Sequence, residues 1–338
     1  MQLYSQHEYS GDSGIVTMTS GPINIASYYT GADDSIYTIL LLSAQEDGEI
    51  YEDGLSEITR TITANIHTNT LDAILPVLFQ RLSVYPTLND EQKLALIFGS
   101  TLKRAIITRL RDDVAVSKSE LNIWLKDQYR EGFFDIEVEL NSLVKIGIVK
   151  VISIQGQPSD MVFLVNDILV LRIPSRELIS DPVDHHLPES LKSAYFTEVK
   201  AYFQEYHPNE SDNITLCENV LLEPQAYEVL KLIRQAMVTR NDIEKLRKKG
   251  VDDIDKVLRI LWDNKLLVIL QDEHGNEYYC LTADVVLKKI FPEYHIDTIK
   301  HQYQTRSQSP DVLHQALEII KERYYEMQRE AKTKKAIA

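Results

Sequence analysis

An internal repeat constrains the fold more than any other feature. The stretch AVSKSELNIWL at 115–125 returns 122 residues later as MVTRNDIEKLR at 237–247. Ser117 with Glu120, and Thr239 with Asp242, have the hydroxyl-x-x-acid spacing of a capped helix start. The hydroxyl can accept from the third backbone N–H, and the carboxylate suits the positive end of the helix. Leu121 then matches Ile243 and Trp124 matches Leu246, one apolar stripe per helix. After the turns QYREGFFD and KKGVDD, a second helix carries Ile136, Leu140 and Leu143 in one copy and Ile254, Leu258 and Leu261 in the other. That spacing puts each trio on one face. A β-like stretch follows, GIVKVISI (147–154) or KLLVILQ (265–271), then a turn, QGQPSD or DEHGNE. A returning strand closes each copy, MVFLVND (161–167) or YYCLTAD (278–284), and the exits ILVLRIP and VVLKKIFP correspond, Ile173 with Ile290. Upstream, one helix is expected over 90–112 and another over 224–236, the latter opened by Pro224.

Helix, helix, helix, strand, turn, strand is the order of a winged helix, here used twice. Over residues 90–292 the chain resembles the tandem winged-helix proteins of endosomal-sorting complexes and of the general transcription machinery. The resemblance is one of architecture. It implies a protein-binding role and carries over no functional residue.

Residues 14–66 have a different character. GIVTMTS, INIASYYTG and SIYTILLLSA read as three strands parted by turns, and LSEITRTITANI (55–66) as a helix. This strand order resembles the opening of the longin and roadblock modules associated with small GTPases. A further helix over 70–85 contains Pro76, where a bend is expected. Between the copies, 188–206 reads as an amphipathic helix and HPNESDNITLCEN (207–219) as an interdomain loop. In the last segment Leu313, Leu317, Ile320, Tyr324, Met327 and Ala331 alternate steps of four and three. Such a seam can pack on its own protein, the preferred reading, or form a homodimer. The expected fold is thus α+β and mostly helical, in five segments: an N-terminal module (1–86), a first winged helix (87–180), a connector (181–222), a second winged helix (223–295) and a C-terminal helix (296–338).

Composition narrows the function. No apolar run approaches the length of a membrane span, and MQLYSQHEYSGD has neither the basic nor the apolar part of a secretory signal, so a cytoplasmic protein is expected. Cys217 and Cys280 are too few for a disulfide framework or a four-cysteine metal site. Reduced thiols are expected, with a single bridge as the alternative in an oxidising compartment. His185 and His186 are adjacent and point apart on any regular element, and His274 falls in a turn. The cluster Glu46, Asp47, Glu49, Glu52 and Asp53 lacks the ligand spacing of a calcium loop and reads as a solvated helix approach. No phosphate-cradling glycine motif, nucleophile elbow or zinc-protease motif occurs. No enzyme activity, cofactor or metal is expected.

Charge bears on the partner. The chain carries a formal net charge of −15, and residues 1–70 hold ten acidic residues against Arg60 alone. Winged helices that read DNA lay a basic third helix in the major groove. Here the first copy offers Asp135, Glu137 and Glu139 against Lys145, and the second offers Asp252, Asp253, Asp255 and Asp263 against Lys256, Arg259 and Lys265. Carboxylates in those places repel phosphate. The counter-signal is RNDIEKLRKKG (240–250), with Arg240, Lys245, Arg247, Lys248 and Lys249. The expected function is a non-enzymatic adaptor that grips other proteins. Its candidate contacts are the acidic third helices and the exposed side of the N-terminal sheet, with Asp135, Glu137, Glu139, Arg259 and Trp262 on the helices and the basic patch beside them. Trp262 is the candidate anchor, although Leu258 one turn before it makes the core edge its preferred place. The alternatives are a DNA-binding regulator acting through the basic patch, and a small-GTPase-associated scaffold acting through the N-terminal module.

Overall fold

The computed structural model describes residues 5, 7, 13–31, 35–43, 45–68, 71–84, 88–129 and 136–337. The chain opens with strands β1 (Gly14–Ser20), β2 (Ile23–Tyr29) and β3 (Tyr37–Ser43), followed by α1 (Glu52–Asn65) and α2 (Leu71–Val84). Helices α3 (Asp90–Gly99) and α4 (Thr101–Asp113) lead into β4 (Ala115–Ser117), α5 (Lys118–Gln128) and α6 (Ile136–Lys145). Strands β5 (Val149–Ile152), β6 (Met161–Leu164) and β7 (Asp167–Ile173) come next, then α7 (Arg176–Ser180), α8 (Lys192–Glu205) and α9 (Glu210–Leu216). The same order then returns: α10 (Pro224–Gln235), β8 (Val238–Thr239), α11 (Arg240–Glu244), α12 (Ile254–Asp263), β9 (Leu267–Gln271), β10 (Glu277–Leu281) and β11 (Asp284–Ile290). Helices α13 (His295–Thr305) and α14 (Pro310–Ile337) follow. The protein is α+β and mostly helical, with a three-stranded sheet near its N-terminus.

Two compact units divide these elements. One gathers Met1–Leu88, Ser100–Asp167 and Lys289–Ala338; the other gathers Asn89–Gly99 and Ile168–Lys288. The 87–180 segment therefore contributes to both.

In the first unit, β1, β2 and β3 form an antiparallel meander with Ile25 opposite both Met18 and Leu41. Alternation places Ile15, Ala26, Tyr28, Leu40 and Leu42 on one face, closed by Leu55 and Ile58 of α1 and by Leu78 and Leu82 of α2. A second sheet has the order β4-β6-β5. Its core joins Ala115, Met161 and Phe163 to Ile299 of α13 and to Val312, Leu313, Ala316, Ile319 and Ile320 of α14. The C-terminal seam is accordingly split: Leu313 and Ile320 are buried in their own unit, while Leu317, Tyr324 and Met327 are exposed.

In the second unit the sheet order is β8-β10-β9, matching the first copy strand for strand. Strands β7 and β11, the corresponding exits of the two copies, pair with each other. The helix ends also match. Ile148 N–H bonds to Leu143 O past α6, and Leu266 N–H to Leu261 O past α12, each at 2.9 Å. This closure needs a left-handed residue, supplied by Gly147 (φ 75°) in the first copy and by Lys265 (φ 57°) in the second. Arg172 of β7, almost fully buried, grips Asp212 at 2.6 and 2.8 Å and Asn264 O at 2.6 Å, beside the mutually stacked rings of Tyr202 and Tyr206.

Three sequence expectations are corrected. The helix expected over 90–112 is two helices, broken at Gly99–Ser100, where Ser100 is extended and its hydroxyl caps Lys103 N–H. The loop expected at 207–219 is helical: Asn209 caps Asp212 N–H, and α9 runs into a π turn, Cys217–Leu221, whose apolar side chains are buried. Each copy also has a short third strand, β4 or β8, ahead of its capped helix.

The break at Ser100 frees α3 to join the second unit. There Arg234, on the last turn of α10, holds Glu91 of α3 through two bonds of 2.8 and 2.9 Å. It also reaches Asp284 at 2.7 Å and Val285 O at 2.9 Å. Tyr227 donates to the same Glu91 at 2.9 Å, and Gln92 donates to Leu221 O at 3.0 Å.

Candidate functional site

The two matching helices α6 and α12 have opposite surroundings. On α6, Glu139 is only 1% exposed and is paired with Arg60 of α1, and Lys145 is paired with Glu52 of the same helix. Val138 adds an apolar contact to the core beneath the N-terminal sheet. Glu137 accepts from Lys118 at 2.7 Å. The acidic character of α6 therefore serves packing within its unit, and Glu139 cannot meet a partner. Asp135 lies outside the described residues.

On α12, Ile254, Val257, Leu258 and Leu261 fill the core of the second unit. The opposite side carries Asp255, Lys256, Arg259, Trp262 and Asp263, all exposed. Trp262 is 47% exposed, and Arg259 sits one turn before it on the same side of the helix. The face thus pairs a flat amphipathic ring with a planar cation, whose apolar area and donors are both open to a partner.

The basic patch is largely neutralised from within. Arg240 bonds to Asp255 at 2.7 Å and to Glu244 at 3.0 Å, Lys245 to Asp242 at 2.7 Å, and Arg247 to Glu244 at 2.5 Å. The Lys245 ammonium, aided by Thr239, holds the Asp242 carboxyl down to about 2. Arg247 and then Arg240 lower Glu244, and Arg240 lowers Asp255. Lys248 and Lys249 are exposed at the end of this segment. The capping box is complete, with Asp242 accepting from Thr239 N–H at 3.0 Å.

Among the described residues no three His, Cys, Asp or Glu side chains are placed to hold a metal ion. His185 faces Asp181 O at 2.7 Å, and His274 N–H is held by Asp272 in the turn between β9 and β10. Cys217 and Cys280 are buried thiols not joined in a disulfide, and burial pushes the Cys280 thiol up to about 12, far from a reactive thiolate. No helix among the described residues is long and apolar enough to cross a membrane.

Of the residues singled out by sequence, the fold brings Arg259 and Trp262 together on one helix face and groups Arg240, Lys245 and Arg247 with their own carboxylates. Sequence reasoning missed the cover that α1 gives α6. Its one signal was Arg60, the sole cation among the first 70 residues. Compared with known proteins, the chain matches no family model, no curated protein and no solved structure.

Proposed function

We propose that the chain is a non-enzymatic cytoplasmic adaptor or assembly subunit built on tandem winged helices, and that it grips a partner protein through the third helix of the second copy. The observation that carries this reading is the asymmetry between α6 and α12. The first helix is engaged by Arg60, Glu52 and the N-terminal core, whereas the second presents Trp262 and Arg259. Trp and Arg are the side chains that most often dominate binding energy at protein interfaces. The rival winged-helix role, DNA binding through 240–249, is disfavoured because Arg240, Lys245 and Arg247 are already paired with carboxylates. Phosphate would have to displace each of them.

Two measurements test this. Purification of the tagged full chain from cells, with mass spectrometry, should identify a stoichiometric protein partner whose affinity drops about thirtyfold in Trp262→Ala, the scale of a loss of about 2 kcal/mol. Unchanged binding in both Trp262→Ala and Arg259→Ala overturns the assignment to α12. Titration with random duplex DNA at low and higher salt should show no binding. Salt-sensitive binding abolished by reversing Arg247, Lys248 and Lys249 would replace the adaptor by a DNA-binding regulator.

A further inference from the structure

We infer that the outer edge of β3 is a docking strand for an extended, basic segment of a partner protein. This goes beyond the role proposed for α12: it concerns the other unit and different residues, and either can fail alone.

Strands β1, β2 and β3 contain no charged residue at all. Sheet edges in water are usually protected by charge, proline, a bulge or a covering element, because unpaired N–H and C=O groups recruit further strands. β3 is a terminal strand of its sheet, with β2 as its only strand partner among the described residues. It is also the most exposed apolar strand of the three. Leu41 is 66% exposed and Ile39 is 43% exposed, both on the face opposite α1 and α2. That face is covered at one end, where His7 lies against Tyr29 and Tyr37 and its Nε2 is 3.2 Å from Ser27 Oγ. Toward Ile23 and Leu41 it stays open.

Charge identifies the occupant. Residues 1–70 carry ten acidic residues and one basic one, so a second copy would set a net −9 against −9. A basic segment meets the opposite sign. An added strand would align alternate side chains beside Ile39 and Leu41 and project the others to the helix side of the sheet. The loop through Gly48 lies on that side, where a Cβ at Gly48 would meet Thr17 and Ala26, and Glu46 accepts from Ser43 N–H at 2.9 Å, which sets a carboxylate at the Ser43 end of β3. The chemistry that fits is therefore aliphatic residues alternating with lysine or arginine, held by main-chain hydrogen bonds to β3.

The test uses the full chain and a fluorescein-labelled peptide of alternating lysine and valine, followed by anisotropy. Binding should weaken at least about tenfold in Leu41→Lys, which puts a like charge beside the docked strand. Because Leu41 is already exposed, the variant should keep its far-ultraviolet dichroism; Ile39→Lys repeats the measurement at the other open position. A peptide N-methylated at alternate amides should lose binding, and an alternating glutamate–valine peptide should not bind. Equal binding of the N-methylated peptide, or of both variants, overturns the proposal. So does sedimentation of the wild type as a dimer that Leu41→Lys makes monomeric, because a second copy would then occupy the edge.

Discussion

Replacing Arg234 by Met removes the cation that ties α3 to the body of its unit and keeps most of the aliphatic stem. Arg234 makes four bonds, two to Glu91, one to Asp284 and one to Val285 O, and all three ionic side chains are about one-fifth exposed. Breaking a fully buried pair by deleting one partner costs about 3–5 kcal/mol, because the remaining charge is stranded. Here two carboxylates are stranded together, but each can reach some water, and Tyr227 still donates to Glu91. That partial access to water places the cost at the low end of the range. A net loss of about 3 kcal/mol follows, somewhat over a hundredfold in the unfolding equilibrium. Each unit has its own tryptophan, Trp124 in the first and Trp262 in the second. Urea titration of Trp124→Phe chains follows the second unit alone. With a slope of about 2 kcal/mol per molar, the Trp262 midpoint should fall by about 1.5 M. A shift under about 0.3 M refutes the view that charge pairing holds α3.

Other outcomes are expected. Lys265→Gly should stabilise the second unit by about 0.4–1 kcal/mol, read as a higher urea midpoint, since glycine takes the left-handed φ without strain. Arg60→Met should destabilise the first unit by about 2 kcal/mol at the Trp124 signal, leaving the buried Glu139 uncompensated. His295 is fully buried with neither ring nitrogen hydrogen-bonded, and burial lowers its pKa, opposed by the nearby carbonyls of Leu110 and Arg111 and by the charge of Asp167. The unfolded chain then takes up a proton near the ordinary histidine value of about 6.5 while the folded chain resists, so stability should fall as pH drops through about 6.5. Denaturation midpoints measured between pH 7.5 and 5.5 should show this slope, and His295→Gln should flatten it.

Sequence legibility followed the range of the interactions. The meander was plain because apolar runs, glycine turns and strand lengths are local. The matched trios Ile136, Leu140, Leu143 and Ile254, Leu258, Leu261 were plain because helical periodicity is local too. The break after Gly99 was missed because apolar spacing continues across it; the only local mark is a serine able to cap. Asn209 offered a similar mark in a polar stretch. Strands β4 and β8 are too short to show alternation and exist through pairing with distant β6 and β10. The divergence of α6 and α12 was invisible for the same reason. Both read as acidic helices, and the contacts of Glu139 with Arg60 and of Lys145 with Glu52, far away in sequence, separate them.

The packing of α14 on β4 and β6 has a consequence for synthesis. Every residue of the second unit has been made once Lys288 is added, while the core around Ala115 and Phe163 still lacks Val312, Leu313 and Ala316. The unit that begins first on the ribosome is thus completed last. Its apolar sheet face must stay soluble through roughly 150 further residues, about ten to thirty seconds at ordinary elongation rates. That interval is when this chain most needs a chaperone, and a stop codon placed before α14 would make it permanent.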